Sequence, residues 1–132
     1  MRGRFFGMVV VVAMLSSAAA YAHHSFGGTY NVDQKITITG KIVQLTLRSP
    51  HSFVYVEVQD GSGTPQRWTI EGASAQQFAQ QGFDKDAFKV GDPVEIIGNP
   101  SRSPNATRAR LIRITRTTDG KSWGSGAGEV VN

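Results

Sequence analysis

The side chains best suited to chemistry in this chain are its three histidines, His23, His24 and His51. The chain contains no cysteine, which excludes a disulfide framework, a Cys-ligated zinc or iron–sulfur centre and a thiol nucleophile. It also lacks a Ser/His/Asp order, a phosphate-binding glycine loop and carboxylates paired at a catalytic spacing. Imidazole chemistry therefore remains, and imidazole is the commonest metal ligand in proteins.

The first 22 residues have the pattern of an export signal. Arg2 and Arg4 supply a positive start, residues 5–15 are apolar, and residues 16–22 are small apart from one tyrosine. The apolar run is shorter than the roughly 20 residues that span a bilayer, which favours cleavage over a permanent anchor. We therefore expect a signal peptide over residues 1–22 and a mature protein in the periplasm or outside the cell.

The cleavage point decides what metal chemistry the new terminus can do. Cleavage after Ala22, which we favour, gives His23 a free α-amine, and amine and imidazole of one residue can chelate a metal together. His24 or His51 would supply a third nitrogen and complete a histidine brace. An all-nitrogen set suits Cu(II) best, with Ni(II) and Zn(II) behind. Cleavage after Ala20 would instead leave His third in the chain, an arrangement that can also wrap Cu(II) or Ni(II).

The opposing interpretation gives these histidines no ligand role. His23 and His24 are then polar residues at a chain end, and His51 only begins a strand. Glu71 and Asp33 are possible oxygen ligands or partners of a ligand, although a solvated carboxylate is the ordinary expectation for each. For Glu57 the expectation is a cross-strand pair with Arg67.

The rest of the mature chain predicts five strands and one short helix. Residues 52–59 and 66–71 alternate apolar with polar side chains and are joined by a Gly-rich turn, which predicts a hairpin. In residues 35–47 the apolar positions change parity near Gly40, which predicts a bulge in a long bent strand. A capping-box spacing and Gly82 predict a helix over residues 74–81. Residues 94–97 and 107–117 complete the strands.

This order is that of an OB-fold, and we predict a small five-stranded OB-like barrel over residues 23–117. An open five-stranded sheet packed on one helix is the alternative. Residues 118–132 are Gly-rich and are expected to form a flexible tail unless Trp123, its only large apolar side chain, docks.

Charge and aromatic side chains suggest surfaces without a metal. The formal charge is +4, and the loss of Arg2 and Arg4 would reduce it to +2. Basic residues cluster in the last strand and its flanks, where export argues against nucleic acid as a partner and favours a solvated or lipid-facing surface. Phe53 and Tyr55 can form an aromatic platform or be covered by Phe26 and Tyr30. Trp68 has the parity of the core.

Several motifs together resemble an exported bacterial family catalogued as domain of unknown function 6152. They are His23-His24-Ser25-Phe26, Ile38-Thr39-Gly40-Lys41-Ile42, Ser49-Pro50-His51, Val56-Glu57-Val58-Gln59-Asp60-Gly61, Trp68-Thr69-Ile70-Glu71 and Val90-Gly91-Asp92-Pro93-Val94. The likeness covers residues 23–117, and Ser49 stands where the family usually has Asn. The resemblance implies an exported small β-barrel and no established activity.

We therefore expect a periplasmic barrel that binds a transition metal, copper first, through His23, His24 and His51. Its role would be metal handling as a carrier, buffer or sensor, in contact with a periplasmic protein or the membrane surface. The alternative is a metal-free binding module for a small anionic ligand, a lipid head group or a protein. A copper oxidase ranks last, because so small a chain offers little room for substrate beside the metal.

Overall fold

The computed structural model describes residues 26–83 and 86–124. The expected signal peptide and both N-terminal histidines lie outside these residues. In chain order the elements are α1 (26–29), β1 (Ile36–Thr46), β2 (Phe53–Val58), β3 (Gln66–Glu71), α2 (Ala75–Gln80), β4 (Pro93–Pro100), β5 (Arg108–Arg116) and β6 (Ser122–Gly124). Within the described ranges, no helix is long and apolar enough to cross a membrane.

The strands close into a barrel. β1 pairs antiparallel with β2 on one side and with β4 on the other, β2 continues to β3, and β4 continues to β5. The start of β5 then pairs in parallel with β3, which joins the two ends of the sheet. The predicted five-stranded OB-like barrel is confirmed. The short strand β6 and the helical turn α1 add to it.

The parity change in β1 marks a bulge, as the sequence predicted. The pairing of β1 with β2 slips between Ile42 and Gln44, so the irregularity lies just beyond Gly40 rather than at it. Gly40 has a separate role in packing. A Cβ at this position would lie 2.3 Å from the carbonyl oxygen of Glu57, so only glycine lets β1 and β2 approach this closely.

Alternation along the strands builds the core. Val54 and Val56 of β2 are buried, whereas Glu57 is exposed, as expected for a strand with one face inside the barrel. Trp68 packs partly buried against this core, as its parity predicted. The other strands contribute buried side chains from Ile38, Ile42, Ile70, Val94, Ile96, Ala109, Leu111 and Ile114.

The predicted helix is present as α2. The Ser74 side chain caps it by accepting a hydrogen bond from the Gln77 amide at 3.2 Å, and Gly82 has φ +79°, the left-handed conformation expected after a helix. Its single buried side chain, Phe78, stacks on Phe83 at 4.5 Å between ring centroids. The helix is thereby attached to the apolar core.

Trp123 docks, so the start of the predicted tail is part of the fold. Its ring meets Phe78 and Phe83 edge-on, with centroids 4.8 and 5.4 Å away. The same residue lies at the centre of β6, which pairs with β5. Residues 125–132 of the predicted tail lie outside the described residues.

Candidate functional site

The N-terminal segment of the described chain lies across the loop that follows β4. The Arg102 amide donates to the Thr29 carbonyl at 2.9 Å, and its side-chain Nε donates to the Gly27 carbonyl at 2.6 Å. Tyr30 forms an isolated bridge with Ser101. These contacts hold Phe26 and Tyr30 against the outside of the barrel.

His51 meets this segment directly. The ring of Phe26 stacks on the His51 ring, with centroids 5.0 Å apart and planes 12° apart. The Arg110 guanidinium also lies over the Phe26 ring, 4.6 Å from its centroid. The His51 side chain is 32% exposed and lines a shallow surface pocket of about 350 Å³, so the ring is held in place yet reachable.

A buried carboxylate orients the imidazole. Glu71, the last residue of β3, accepts a hydrogen bond from His51 Nδ1 on one oxygen. On the other oxygen it accepts from the Tyr30 hydroxyl and, at 2.5 Å, from Arg108 Nη2. Arg108 Nε also donates to the Tyr30 hydroxyl at 2.7 Å, which closes a four-residue network. We call Tyr30, His51, Glu71 and Arg108 the Glu71 network.

Strand register brings the members of this network together. Parallel pairing sets Thr69 opposite Arg108 and Glu71 opposite Arg110, so the carboxylate and both guanidinium groups belong to the same outer face. Tyr30 then covers the carboxylate, leaving Glu71 only 7% exposed. The buried charge is compensated because every partner donates a hydrogen bond to it.

Burial and hydrogen bonding act in opposite directions on Glu71. Burial raises the pKa of its carboxyl, but the hydrogen bonds from Tyr30, His51 and Arg108 outweigh burial, and the net pKa lies below its usual value. For Tyr30, burial and the bond to Glu71 both raise the pKa of the phenol far above its usual value. The network therefore holds a carboxylate, a neutral phenol and a guanidinium cation at neutral pH.

Because Glu71 is ionised, only one tautomer of the neutral His51 ring fits the hydrogen bond between them. A carboxylate only accepts hydrogen bonds, so the proton of a neutral His51 ring resides on Nδ1. The lone pair then lies on Nε2, for which the described residues provide no hydrogen-bond partner. A histidine held this way has the orientation found in metal ligands that are supported by a carboxylate.

The sequence predictions for the carboxylates had different outcomes. The expectation of a solvated Glu71 is wrong, because Tyr30 contacts its carboxylate and the residue is buried. Asp33 is exposed, as expected. Glu57 faces Arg67 in the β2–β3 register, but the guanidinium donates to the Gln44 side chain at 2.6 Å, so the expected pair is replaced.

The structure positions only one of the three predicted metal ligands. His51 lies in the Glu71 network, whereas His23 and His24 lie outside the described residues. Among the described residues, no three His, Cys, Asp or Glu side chains are grouped closely enough to hold a metal ion. The prediction of a three-histidine site therefore stays a prediction.

Sequence analysis missed Arg108 and gave Tyr30 a different role. Arg108 was one of several basic residues in the last strand, and Tyr30 was expected near Phe53 and Tyr55. In the structure those two aromatic residues contact each other and arginines, with Arg48 5.3 Å from the Phe53 ring and Arg67 4.6 Å from the Tyr55 ring. The sequence signals for the network were His51 and Glu71, the latter an acidic residue that ends an alternating strand.

Comparisons with known proteins establish the fold and the family. No curated protein matches the chain. Among solved structures it is similar to two crystal forms of Rim1, the mitochondrial single-stranded DNA-binding protein of S. cerevisiae. One has 14% identity and a TM-score of 0.50, covering 64% of this chain and 92% of Rim1. The other has 15% identity and a TM-score of 0.48, covering 64% and 93%.

The likeness with a TM-score of 0.50 shows only a shared fold, because the identity is so low, and this fold agrees with the closed barrel. A family model covers most of the sequence, matching residues 10–110. The chain therefore belongs to the family of unknown function DUF6152.

Proposed function

We propose that this protein is exported and binds a transition metal, copper first, through His51 together with His23 and His24. The observation that carries the proposal is the orientation of His51. Its Nδ1 donates to the buried Glu71 carboxylate, and Nε2 has no partner in the described part of the chain. Such a carboxylate–histidine pair fixes the orientation of the ring and leaves Nε2 free to bind a metal.

Chain connectivity supports a role for the two preceding histidines. Phe26, whose ring stacks on His51, is two residues after His24. Two trans peptide units span at most about 8 Å, so covalent geometry keeps the His24 Cα within that distance of the Phe26 Cα. A connection this short allows the two imidazoles to reach His51, which supports the proposal.

The donor set favours copper among the available metals. Cleavage after Ala22 would add an α-amine to the imidazoles, and all-nitrogen donors suit tetragonal Cu(II), the strongest binder in the divalent series. We propose metal handling in the periplasm or outside the cell, as a carrier, buffer or sensor.

The test is a Cu(II) titration of protein that begins at His23, followed by calorimetry and electron paramagnetic resonance. We expect one Cu(II) per chain with nitrogen hyperfine structure. A methionine or tag before His23 should weaken binding, because the α-amine is then displaced. His51→Ala should also weaken binding, whereas Phe53→Ala, which changes the same shallow pocket without removing a ligand nitrogen, should not.

Two outcomes would contradict the proposal. Equal affinity of tagged and untagged protein would eliminate the terminal amine as a ligand. Unchanged affinity of His51→Ala would mean that the N-terminal histidines bind copper without the barrel.

A further inference from the structure

A groove of about 1000 Å³ runs along the outside of the barrel, between the N-terminal segment, β5, β6 and α2. It is distinct from the shallow pocket beside His51. Three basic side chains, Lys35, Arg110 and Arg113, line it, together with the apolar side chains of Phe26, Leu111 and Trp123. This volume lies at the upper end of the range of volumes found for small-molecule binding sites.

The basic side chains of the groove differ from the other arginines of β5. Arg108 and Arg116 at the two ends of the strand are paired with carboxylates, Glu71 for the first and Asp92 and Asp119 for the second. In the described ranges, none of the three cations in the groove forms an ion pair. Arg110 lies over the Phe26 ring, and Arg113 Nη2 is 3.4 Å from the Ser122 hydroxyl.

Among the residues that the structure describes, the walls of the groove also carry no acidic side chain. Three like charges around one concavity repel one another and are stabilised when an anion lies between them. Guanidinium groups are suited to this because they bind carboxylate and phosphate through two parallel hydrogen bonds.

The remaining lining is apolar and partly fixed. Trp123 is half-buried and held by Phe78 and Phe83, so one face of the groove is a rigid aromatic surface. Leu111 and Phe26 extend the apolar lining. A ligand that satisfies both parts must carry an acidic group and an apolar body.

We propose that this groove binds an amphipathic organic anion, with its acidic group among Lys35, Arg110 and Arg113 and its apolar part against Trp123 and Leu111. The site is independent of the metal proposal, since the two share only Phe26. Carboxylate and phosphate head groups both accept charge-assisted hydrogen bonds from guanidinium groups, so either can serve as the acidic group.

The experiment titrates the mature protein with monomeric dodecanoate and, separately, dodecyl phosphate. Binding is followed by calorimetry and, in a Trp68→Phe background, by the fluorescence of Trp123, which is then the only tryptophan of the chain. Both anions should bind with a change in Trp123 emission, and the tighter of the two identifies the preferred head group. Uncharged dodecyl maltoside should bind at least about tenfold more weakly, because charge-assisted hydrogen bonds are lost.

Variants locate the site. The double variant R110Q/R113Q should lose at least about tenfold in affinity for the anions, and Lys35→Gln should weaken binding in the same direction. Arg67→Gln is the matched control, since Arg67 also lies over an aromatic ring but on β3, away from the groove. Far-UV circular dichroism of each variant establishes that the barrel is retained.

Three outcomes would overturn the proposal. The first is equal affinity for charged and uncharged chains, and the second is an R110Q/R113Q variant that binds like the wild type. The third is binding to vesicles of anionic lipid without binding to either monomeric anion, which would assign the basic groove to a membrane surface.

Discussion

At the scale of single residues, the central feature is the buried negative charge of Glu71 and the hydrogen bonds that compensate it. Its carboxylate is nearly buried and receives hydrogen bonds from a phenol, an imidazole and a guanidinium group. Tyr30 has a double role, because its hydroxyl donates to Glu71 and accepts from Arg108 at 2.7 Å. One oxygen atom therefore links the N-terminal segment to β3 and β5.

Replacing Tyr30 with phenylalanine tests this link. Tyr30→Phe keeps the buried ring but leaves Glu71 and Arg108 with one hydrogen bond fewer each, so we expect a loss of about 1–2 kcal/mol in the free energy of unfolding. Urea denaturation measures it. Tyr55→Phe is the matched control, since this half-buried residue has no hydrogen-bond partner for its hydroxyl among the described residues, and the stability of the variant should stay near that of the wild type. Equal stability of both variants with the wild type would mean that water replaces the lost bonds.

Sequence reasoning could identify the participants of this site only in part. The spacing of the histidines and the position of Glu71 at the end of a strand were visible, but the burial of Glu71 was not. An outward-facing carboxylate is normally solvated, and the segment that covers it is 41 residues away in the chain. Only tertiary structure determines that Tyr30 lies above it.

At the scale of elements, β5 has the most neighbours. Most of its length pairs with β4, its beginning pairs with β3, and its later part pairs with β6. Arg116 fastens the turn into β6, because its Nε and Nη2 donate to the two carboxylate oxygens of Asp119 at 2.9 and 2.7 Å. The same side chain reaches Asp92 at 3.1 Å. The pairing with Asp119 has the two parallel hydrogen bonds that guanidinium and carboxylate groups form together.

The pH dependence of stability follows from the Asp119 pair. The hydrogen bonds from Arg116, supported by the Lys121 amide, lower the pKa of the Asp119 carboxyl to about 2. Because the pKa is lower in the folded state than in the unfolded chain, this contribution to stability is complete above about pH 4 and disappears as the pH falls towards 2. Asp119→Asn should therefore be less stable than the wild type at pH 7, by a modest amount because the pair is exposed, and the difference should narrow below pH 4.

Urea denaturation at several pH values between 2.5 and 7 measures this difference. Asp33→Asn is the control, since Asp33 is exposed and has no ion pair in the described ranges, and it should follow the wild type throughout. A stability difference for Asp119→Asn that persists unchanged at the lowest pH would assign the effect to something other than the carboxylate charge.

Element types were the part of the structure most accessible from sequence. Alternation in β2 and β3 and the capping residues of α2 are local patterns, and local patterns determine local structure. By contrast, β6 has only three residues and lies in a Gly-rich segment. It forms because Trp123 docks on Phe78 and Phe83, which are distant in the chain.

At the scale of the whole molecule, closure of the barrel makes each strand dependent on the others. The described strands leave no gap in the ring, since the parallel β3–β5 pairing joins its two ends. A closed sheet loses neighbours on both sides when any strand leaves, which favours a single cooperative unfolding transition.

The two tryptophans test this cooperativity, since Trp68 lies on β3 and Trp123 on β6. We expect the urea midpoints of tryptophan fluorescence in Trp68→Phe and in Trp123→Phe each to coincide with the midpoint of far-UV circular dichroism measured on the same variant. An earlier fluorescence transition in Trp68→Phe, which reports Trp123 alone, would mean that β6 separates from an intact barrel.

The position of β5 in the ring also governs when the chain can fold. Without it, β1 to β4 form a ribbon whose outer members, β3 and β4, both expose unpaired backbone groups. Among the described strands, β5 alone pairs with both of these edges. A growing chain therefore acquires the strand that closes the ring only after the other four have been made. Pairings between strands this distant in sequence make folding slow. Any chain interrupted before Arg108 would expose two unpaired strand edges, with which other chains could pair and aggregate.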